Sequence, residues 1–183
     1  NQPALFGAVA SVPTAWRTLD AIDEATLGRI DRVRAQARRR AWAAGIDPPR
    51  FSVIDIDGTL VTADPDKDQV PDKHGFGFYP LLAYLDRTGE PLAALLRPGN
   101  AGSGTAADHV AVLDAALFQL PCDPHTTEVI VRTDSAGLSH EFLAACRERG
   151  CSFVVGHALT AELARAIVTA PGSRWIPAVP DLL

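Results

Sequence analysis

The chain has 183 residues, 47% of them hydrophobic, and a formal net charge of −5, enough for one domain with a sizeable core and an attached segment. No apolar stretch approaches the roughly 18 residues a bilayer span needs, and no basic start leads into an apolar run with a cleavage site. The acidic balance argues against a generic nucleic-acid binder, and three cysteines without metal-type spacing (Cys122, Cys146, Cys151) favour reduced, mostly buried thiols in a cytoplasmic setting.

The chain begins at Asn1 and contains no methionine, so it is expected to be a piece of a longer protein. Residues 1–10 are small and apolar without clear periodicity. Ser11-Val12-Pro13-Thr14 then reads as a helix start, with a hydroxyl cap and a proline in the first turn, and Trp16, Leu19 and Ile22 form one face of a short helix. Leu27, Ile30, Val33, Ala37 and Ala41 recur at steps of three and four, predicting a second helix of about 18 residues that ends near Gly45. Arg29, Arg32, Arg34, Arg38, Arg39 and Arg40 fall in the same segment, mostly off that stripe. They form either a solvated face or a surface for a phosphate backbone, where each neutralised phosphate releases counterions.

Next comes Phe51-Ser52-Val53-Ile54-Asp55-Ile56-Asp57-Gly58-Thr59-Leu60, a β-branched and aromatic run bounded by Pro48-Pro49 and Gly58, which predicts a mostly buried strand. Side chains alternate along a strand, so Asp55 and Asp57 share one face roughly 7 Å apart. Two like charges on an apolar strand cost several kcal/mol to desolvate unless a cation or an arginine meets them. An acidic loop follows over residues 61–75, with His74 within it. Two further apolar runs, 76–85 and 91–96, are joined by Asp86-Arg87-Thr88-Gly89-Glu90, predicting a hairpin.

The glycine-serine stretch 99–104 lacks the lysine and spacing of a phosphate-cradling loop and reads as a linker. Thr105 is expected to cap a helix whose Val110, Leu113, Ala116, Leu117 and Leu120 face inward before Pro121 stops it. Glu128 to Ser135 reads as a strand with Asp134 at its end, residues 139–149 as a helix, 151–156 as a strand and 160–169 as a last helix. Trp16, Trp42 and Trp175 read as packing residues. The five histidines show no ligand spacing.

Strand-helix-strand order at residues 128–156 favours parallel pairing through a crossover. The prediction is a mixed five-stranded sheet, an antiparallel meander plus parallel strands, flanked by helices. In that topology the first and fourth strands can be neighbours, and Asp57 and Asp134 then point into one site. Carboxylates from adjacent strands suit a hard divalent cation such as Mg²⁺; Asp134 could equally cap the turn that follows it. Arg97 and Arg132, each near a strand end on that edge, could steady a phosphate or pair with the aspartates.

Several ordered segments carry a resemblance: Val53-Ile54-Asp55-Ile56-Asp57-Gly58-Thr59, Gly77-Phe78-Tyr79-Pro80-Leu81-Leu82-Ala83-Tyr84, Gly89-Glu90-Pro91-Leu92-Ala93, Leu96-Arg97-Pro98-Gly99-Asn100 and Val131-Arg132-Thr133-Asp134-Ser135. Over about residues 50–160 the chain resembles the catalytic domain of DDE-type transposases from bacterial insertion sequences, which have a ribonuclease H-like fold. The resemblance implies cleavage of DNA and transfer of a 3′ hydroxyl to a target, with two Mg²⁺ or Mn²⁺ ions held by two aspartates and a glutamate. It also implies DNA partners, both transposon ends and target, and other copies of the chain.

Carried over by position, the first acid is Asp57, with Asp55 as the alternative metal ligand, and the second is Asp134. The third is expected beyond Leu183, since Glu162 follows the fifth strand too closely, and a chain without it should be weak or inactive as a nuclease. Arg32, Arg38, Arg39, Arg40, Arg97 and Arg132 are the expected DNA contacts. The implied organisation is a helical segment over 1–47, a ribonuclease H-like core over 48–170 and an irregular tail over 171–183.

A second resemblance competes. Asp55-Ile56-Asp57-Gly58-Thr59-Leu60-Val61 is similar to the first motif of haloacid dehalogenase-type phosphohydrolases, which would make Asp55 a nucleophile and Asp57 its general acid/base beside Mg²⁺. Thr133 or Ser135 would serve as the second motif, but no lysine follows Lys73 and no paired aspartates lie downstream. A third reading is a DNA-binding remnant without chemistry.

Overall fold

The β-branched residues of Phe51–Gly58 form the longest strand (β1), and the rest of the sheet is built outward from it. The structure, a computed structural model, describes residues 10–45, 51–62, 77–101 and 105–172. In chain order the elements are α1 (Val12–Asp20), α2 (Glu24–Ala43), β1, β2 (Val61–Thr62), β3 (Gly77–Phe78), β4 (Leu81–Leu85), β5 (Glu90–Leu95), α3 (Ala106–Gln119), β6 (Glu128–Thr133), α4 (His140–Glu148), β7 (Ser152–Val155) and α5 (Ala161–Thr169). The expectations for Pro48-Pro49, most of the acidic loop with His74, the middle of the glycine-serine linker, Trp175 and the tail beyond Gly172 lie outside the described residues.

The main sheet has the order β5-β4-β1-β6-β7. β4 and β5 run antiparallel to their neighbours, whereas β6 and β7 run parallel to β1 and to each other. This is the expected mixed five-stranded sheet, and it rules out the wholly parallel sheet that the phosphohydrolase reading needs. The β4–β5 turn closes on Gly89, whose φ of 63° is the left-handed conformation that glycine adopts without steric cost. The apolar run 76–85 is not one strand, however. Gly77-Phe78 pairs with Val61-Thr62 in a separate two-stranded ribbon, and Tyr79-Pro80 intervenes before β4. A Cβ at Gly77 would collide with the Val61 carbonyl oxygen, so only glycine permits that approach.

One face of the sheet carries the core. Ile54, Ile56, Leu81, Ala83, Leu85, Leu92, Val129 and Val131 pack against Val112, Leu113 and Ala116 of α3 and Phe142 and Cys146 of α4. Each large side chain fully buried in this way stabilises the fold by about 1.5–3 kcal/mol. α3 is turned slightly from the expected face. Val110 and Leu117 are only partly buried, and His109 and Gln119 are fully buried. His109 lies against Phe142 with ring centroids 5.2 Å apart. Cys146 and Cys151 are buried and free and Cys122 is half-buried and free, as expected from their spacing; burial pushes the Cys146 and Cys151 thiols up to about 11.

The stripe expected to face inward on α2 does not. Leu27, Ile30 and Val33 are exposed, and the helix docks through Ala35, Arg38 and Trp42. Arg38 is the anchor. Its Nε and Nη2 donate to the two carboxylate oxygens of Glu90 at 3.1 and 2.6 Å, and its Nη1 donates to the backbone and side-chain oxygens of Gln119, both at 2.9 Å. Gln119 Nε2 returns a bond to the Asp31 carbonyl at 3.0 Å, and Arg34 donates to the Pro91 carbonyl. A buried polar surface is stable only when its groups are paired, and here polar pairing replaces an apolar stripe. Trp16, expected to pack, is 63% exposed on α1.

Candidate active site

The candidate site residues follow from the register of β1 and β6. Alternation sends Ser52, Ile54 and Ile56 into the core and Asp55 and Asp57 to the opposite, open face, as the sequence pattern requires. β6 obeys the same rule, with Val129, Val131 and Thr133 buried and Arg132 exposed. The strands pair in parallel with Asp55 opposite Arg132 and Ile56 opposite Thr133. The residues that follow are Asp57 on β1 and Asp134 directly after β6, which alternation directs to the open face at the ends of strands about 4.8 Å apart. Both acids are exposed. The predicted adjacency of the first and fourth strands of the sheet is therefore present.

Each acid is also held by backbone. Asp57 Oδ1 accepts the Gly58 N–H at 2.8 Å. Asp134 Oδ1 accepts the Ala136 N–H at 2.9 Å, capping the single turn Ser135–Gly137. Capping leaves room for a ligand, because a carboxylate has about four acceptor positions and one backbone bond leaves the others available. Close packing supports both tips. A Cβ at Gly58 would stand 2.7 Å from the Tyr79 ring, and one at Gly156 would stand 3.0 Å from the Ser135 nitrogen.

Asp55 differs from its neighbour two residues on. Arg132 Nε donates to its Oδ1 at 2.6 Å and Arg132 Nη2 to its Oδ2 at 2.7 Å. The same Nη2 reaches Asp86 Oδ1 at 2.7 Å. These carboxylates, the Asp55 hydrogen bonds foremost, raise the Arg132 pKa above the usual arginine value. Arg132 thus pairs with an aspartate, one of the two roles foreseen for it. The part played by Asp86, in the β4–β5 turn, was not foreseen; its signal is an acid directly after a strand that must neighbour β1.

The other arginines separate into two groups. Arg38 is inside, as described. Arg97 is buried beside the ribbon, its Nε donating to the Tyr79 carbonyl at 3.1 Å and its Nη1 to Asp108 at 3.3 Å, with its guanidinium 5.2 Å from the Tyr79 ring centre. Arg32, Arg39 and Arg40 are exposed on α2. Arg32 and Arg39 line a shallow groove with Arg29, Val33, Gln36 and Phe118.

Asp57 and Asp134 fit two ligand positions of a hard divalent cation, being exposed oxygen donors on adjacent strand tips with capacity to spare. Mg²⁺ commonly takes only one or two carboxylates and completes its shell with water and phosphate. Among the described residues no cluster of three or more histidine, cysteine or acidic side chains is placed to hold a metal. Glu162 lies in the first turn of α5. Among the described residues no helix is long and apolar enough to cross a membrane.

A family model described as "Transposase DDE domain group 1" matches residues 1–178. No curated protein matches the chain. Among solved structures, the chain is similar to the simian T-cell lymphotropic virus intasome bound to a PP2A regulatory subunit, at 15% identity and a TM-score of 0.41, covering 63% of this chain and 37% of that one. It is similar to the Mos1 mariner paired-end complex with Mn at 11% identity and a TM-score of 0.42, covering 75% and 44%. The Mos1 mariner catalytic domain matches at 8% identity and a TM-score of 0.42, covering 81% and 74%. The chain spans less than half the length of the first two of these molecules.

Proposed function

The chain belongs to the transposase DDE domain group 1 family, and from that premise we propose that it forms part of a DNA transposase whose cation site is built on Asp57 and Asp134. The observation that supports this reading is the parallel β1–β6 pairing, whose register runs to Ile56 opposite Thr133, the residues directly before Asp57 and Asp134. Mg²⁺ or Mn²⁺ bound there would activate the attacking hydroxyl or water and stabilise the leaving oxygen of a phosphodiester, the chemistry of paired metal ions.

The protein's own contribution is orientation. The Gly58 and Ala136 N–H groups each hold one oxygen of an acid, and the other oxygen is proposed to face the cation and substrate. Exposed Arg32, Arg39 and Arg40 on α2 are proposed to lie along a DNA backbone. Arg38, Arg97 and Arg132 are committed to protein partners and are not part of that contact. The DNA partners would be transposon ends and target.

The test is nicking of supercoiled DNA with Mg²⁺ or Mn²⁺ by the whole transposase of which this chain is proposed to form part. Even residues that merely orient a metal ligand are worth about 10- to 100-fold, so Asp57→Asn or Asp134→Asn should each reduce nicking by more than about 100-fold. DNA binding should persist in both variants and weaken with salt. Nicking that survives either substitution would sink the proposal. Hydrolysis of a small phosphomonoester lost on Asp55→Asn would support the phosphohydrolase instead.

A further inference from the structure

Asp55, Asp57 and Asp134 lie along the open face of β1 and β6, and Asp86 lies further down that edge, where its N–H donates to the Val53 carbonyl. A cation arriving there has more than one pair to choose from. Asp55 and Asp57 alone stand on one strand face about 7 Å apart, close enough to draw an ion down the strand and away from Asp134. The structure removes that choice with one side chain. Arg132 occupies both oxygens of Asp55, at 2.6 and 2.7 Å, and reaches Asp86 with the same Nη2. A guanidinium is charged at every accessible pH and its planar fork matches a carboxylate, so this internal cation does not leave by losing a proton.

The spacing is systematic. β1 carries Asp-x-Asp, and β6 with the residue after it carries Arg-x-Asp; the parallel register sets Arg132 against Asp55 and Thr133 against Ile56, so Asp57 and Asp134 follow one residue on. The lower rung is a neutralised pair, and at the upper rung Asp57 and Asp134 each accept one backbone N–H.

We propose that Arg132 is a positioning residue that withholds Asp55 from the divalent cation, so that the ion is confined to the Asp57–Asp134 rung. This rests on the cation reading above, and it removes Asp55 from the set of metal ligands. It requires that the selectivity be visible in cation binding itself, before any DNA is present.

The experiment is Mn²⁺ titration of the whole chain followed by electron paramagnetic resonance of the free ion. Wild type should bind Mn²⁺ through the upper rung, with binding weakened at least tenfold by Asp57→Asn and unchanged by Asp55→Asn. Arg132→Gln should tighten binding by at least threefold or add a second ion per chain. Adding Asp55→Asn to Arg132→Gln should return the wild-type curve. Adding Asp86→Asn should leave the gain in place, which separates ligation by Asp55 from a simple loss of positive charge. Arg132 is half-exposed on the open face, and circular dichroism of each variant confirms the fold.

The outcomes are distinguishable. If wild type binds no Mn²⁺, or binds it indifferently to Asp57→Asn, the cation site itself is wrong and this inference falls with it. If wild type depends on Asp57 but Arg132→Gln changes nothing, or its gain survives the loss of Asp55, the cation site stands and the role given to Arg132 is overturned.

Discussion

Arg38 and Arg132 each grip a carboxylate with two arms of the guanidinium, but one works inside the molecule and the other at its edge. The Arg38 side chain is 3% exposed, and its remaining nitrogen is taken by Gln119. The Arg132 side chain is 50% exposed, and its second partner is another surface acid. The same pairing therefore has different consequences. In the interior an arginine must satisfy every group it meets, and losing it strands them. At the edge water replaces a lost partner at little cost, and what the arginine controls is which acids remain available to a ligand. Arg38 fixes where α2 lies; Arg132 decides the charge presented by the open face.

The largest expected effect tests the interior half of this contrast. Arg38→Ala removes the donor to Glu90 and to both oxygens of Gln119, and should destabilise the protein by about 2–4 kcal/mol, toward the lower part of the range for breaking a buried pair because Glu90 can rehydrate. The melting temperature should fall by roughly 5–15 °C, whereas Arg132→Gln should melt near wild type. Equal losses in the two variants, read by differential scanning calorimetry, would erase the distinction. The salt dependence should differ in the same sense, because screening reaches exposed pairs and spares buried ones.

A smaller effect is expected where interior packing supports the edge. Gly137 is buried under the turn that Asp134 caps, and a Cβ there would stand 3.1 Å from the Thr133 Cβ and 2.7 Å from its Oγ1. Gly137→Ala should cost about 1–3 kcal/mol by overpacking. It should also displace Asp134, so Mn²⁺ affinity should fall together with stability. A variant that loses stability while binding Mn²⁺ as wild type does would show that the tip of β6 is positioned independently of the packing beneath it.

The sequence was most readable where a local rule decides the outcome. Alternation along Phe51–Gly58 places Asp55 and Asp57 on one face, and the strand-helix-strand order favours parallel β6 and β7, so the face carrying these acids and the β6–β7 pairing were legible in the local pattern. The orientation of α2 could not. Its apolar stripe of Leu27, Ile30 and Val33 is a sound pattern, but the helix is held by Arg38 through Glu90 and Gln119, 52 and 81 residues away, and no periodicity encodes a partner at that distance. A glutamine within the apolar helix 106–119 was the one available signal of a buried polar receptor. The β2–β3 ribbon was missed for a similar reason, because it depends on the absence of a side chain at Gly77 rather than on any pattern of side chains. Arg132 lay between these extremes: its strand was clear, and pairing with an aspartate was one of two roles open to it.

The smallest expected effect concerns how α2 is held at its other end. Asp23 caps the helix, accepting the Thr26 N–H at 2.8 Å. Hydrogen bonding from Thr26, through its side chain first and its backbone second, holds the Asp23 carboxyl below its ordinary pKa. A carboxyl whose pKa is lower folded than unfolded stabilises the fold fully above its unfolded value of about 3.9, and that contribution is lost as pH falls through the folded value. Asparagine caps a helix about as well as aspartate but does not titrate. Wild type and Asp23→Asn should therefore melt alike near pH 7, and wild type should lose ground to the variant as the pH is lowered through and below 4. A gap between the two that is independent of pH would mean that the charge on Asp23 adds nothing to its hydrogen bond.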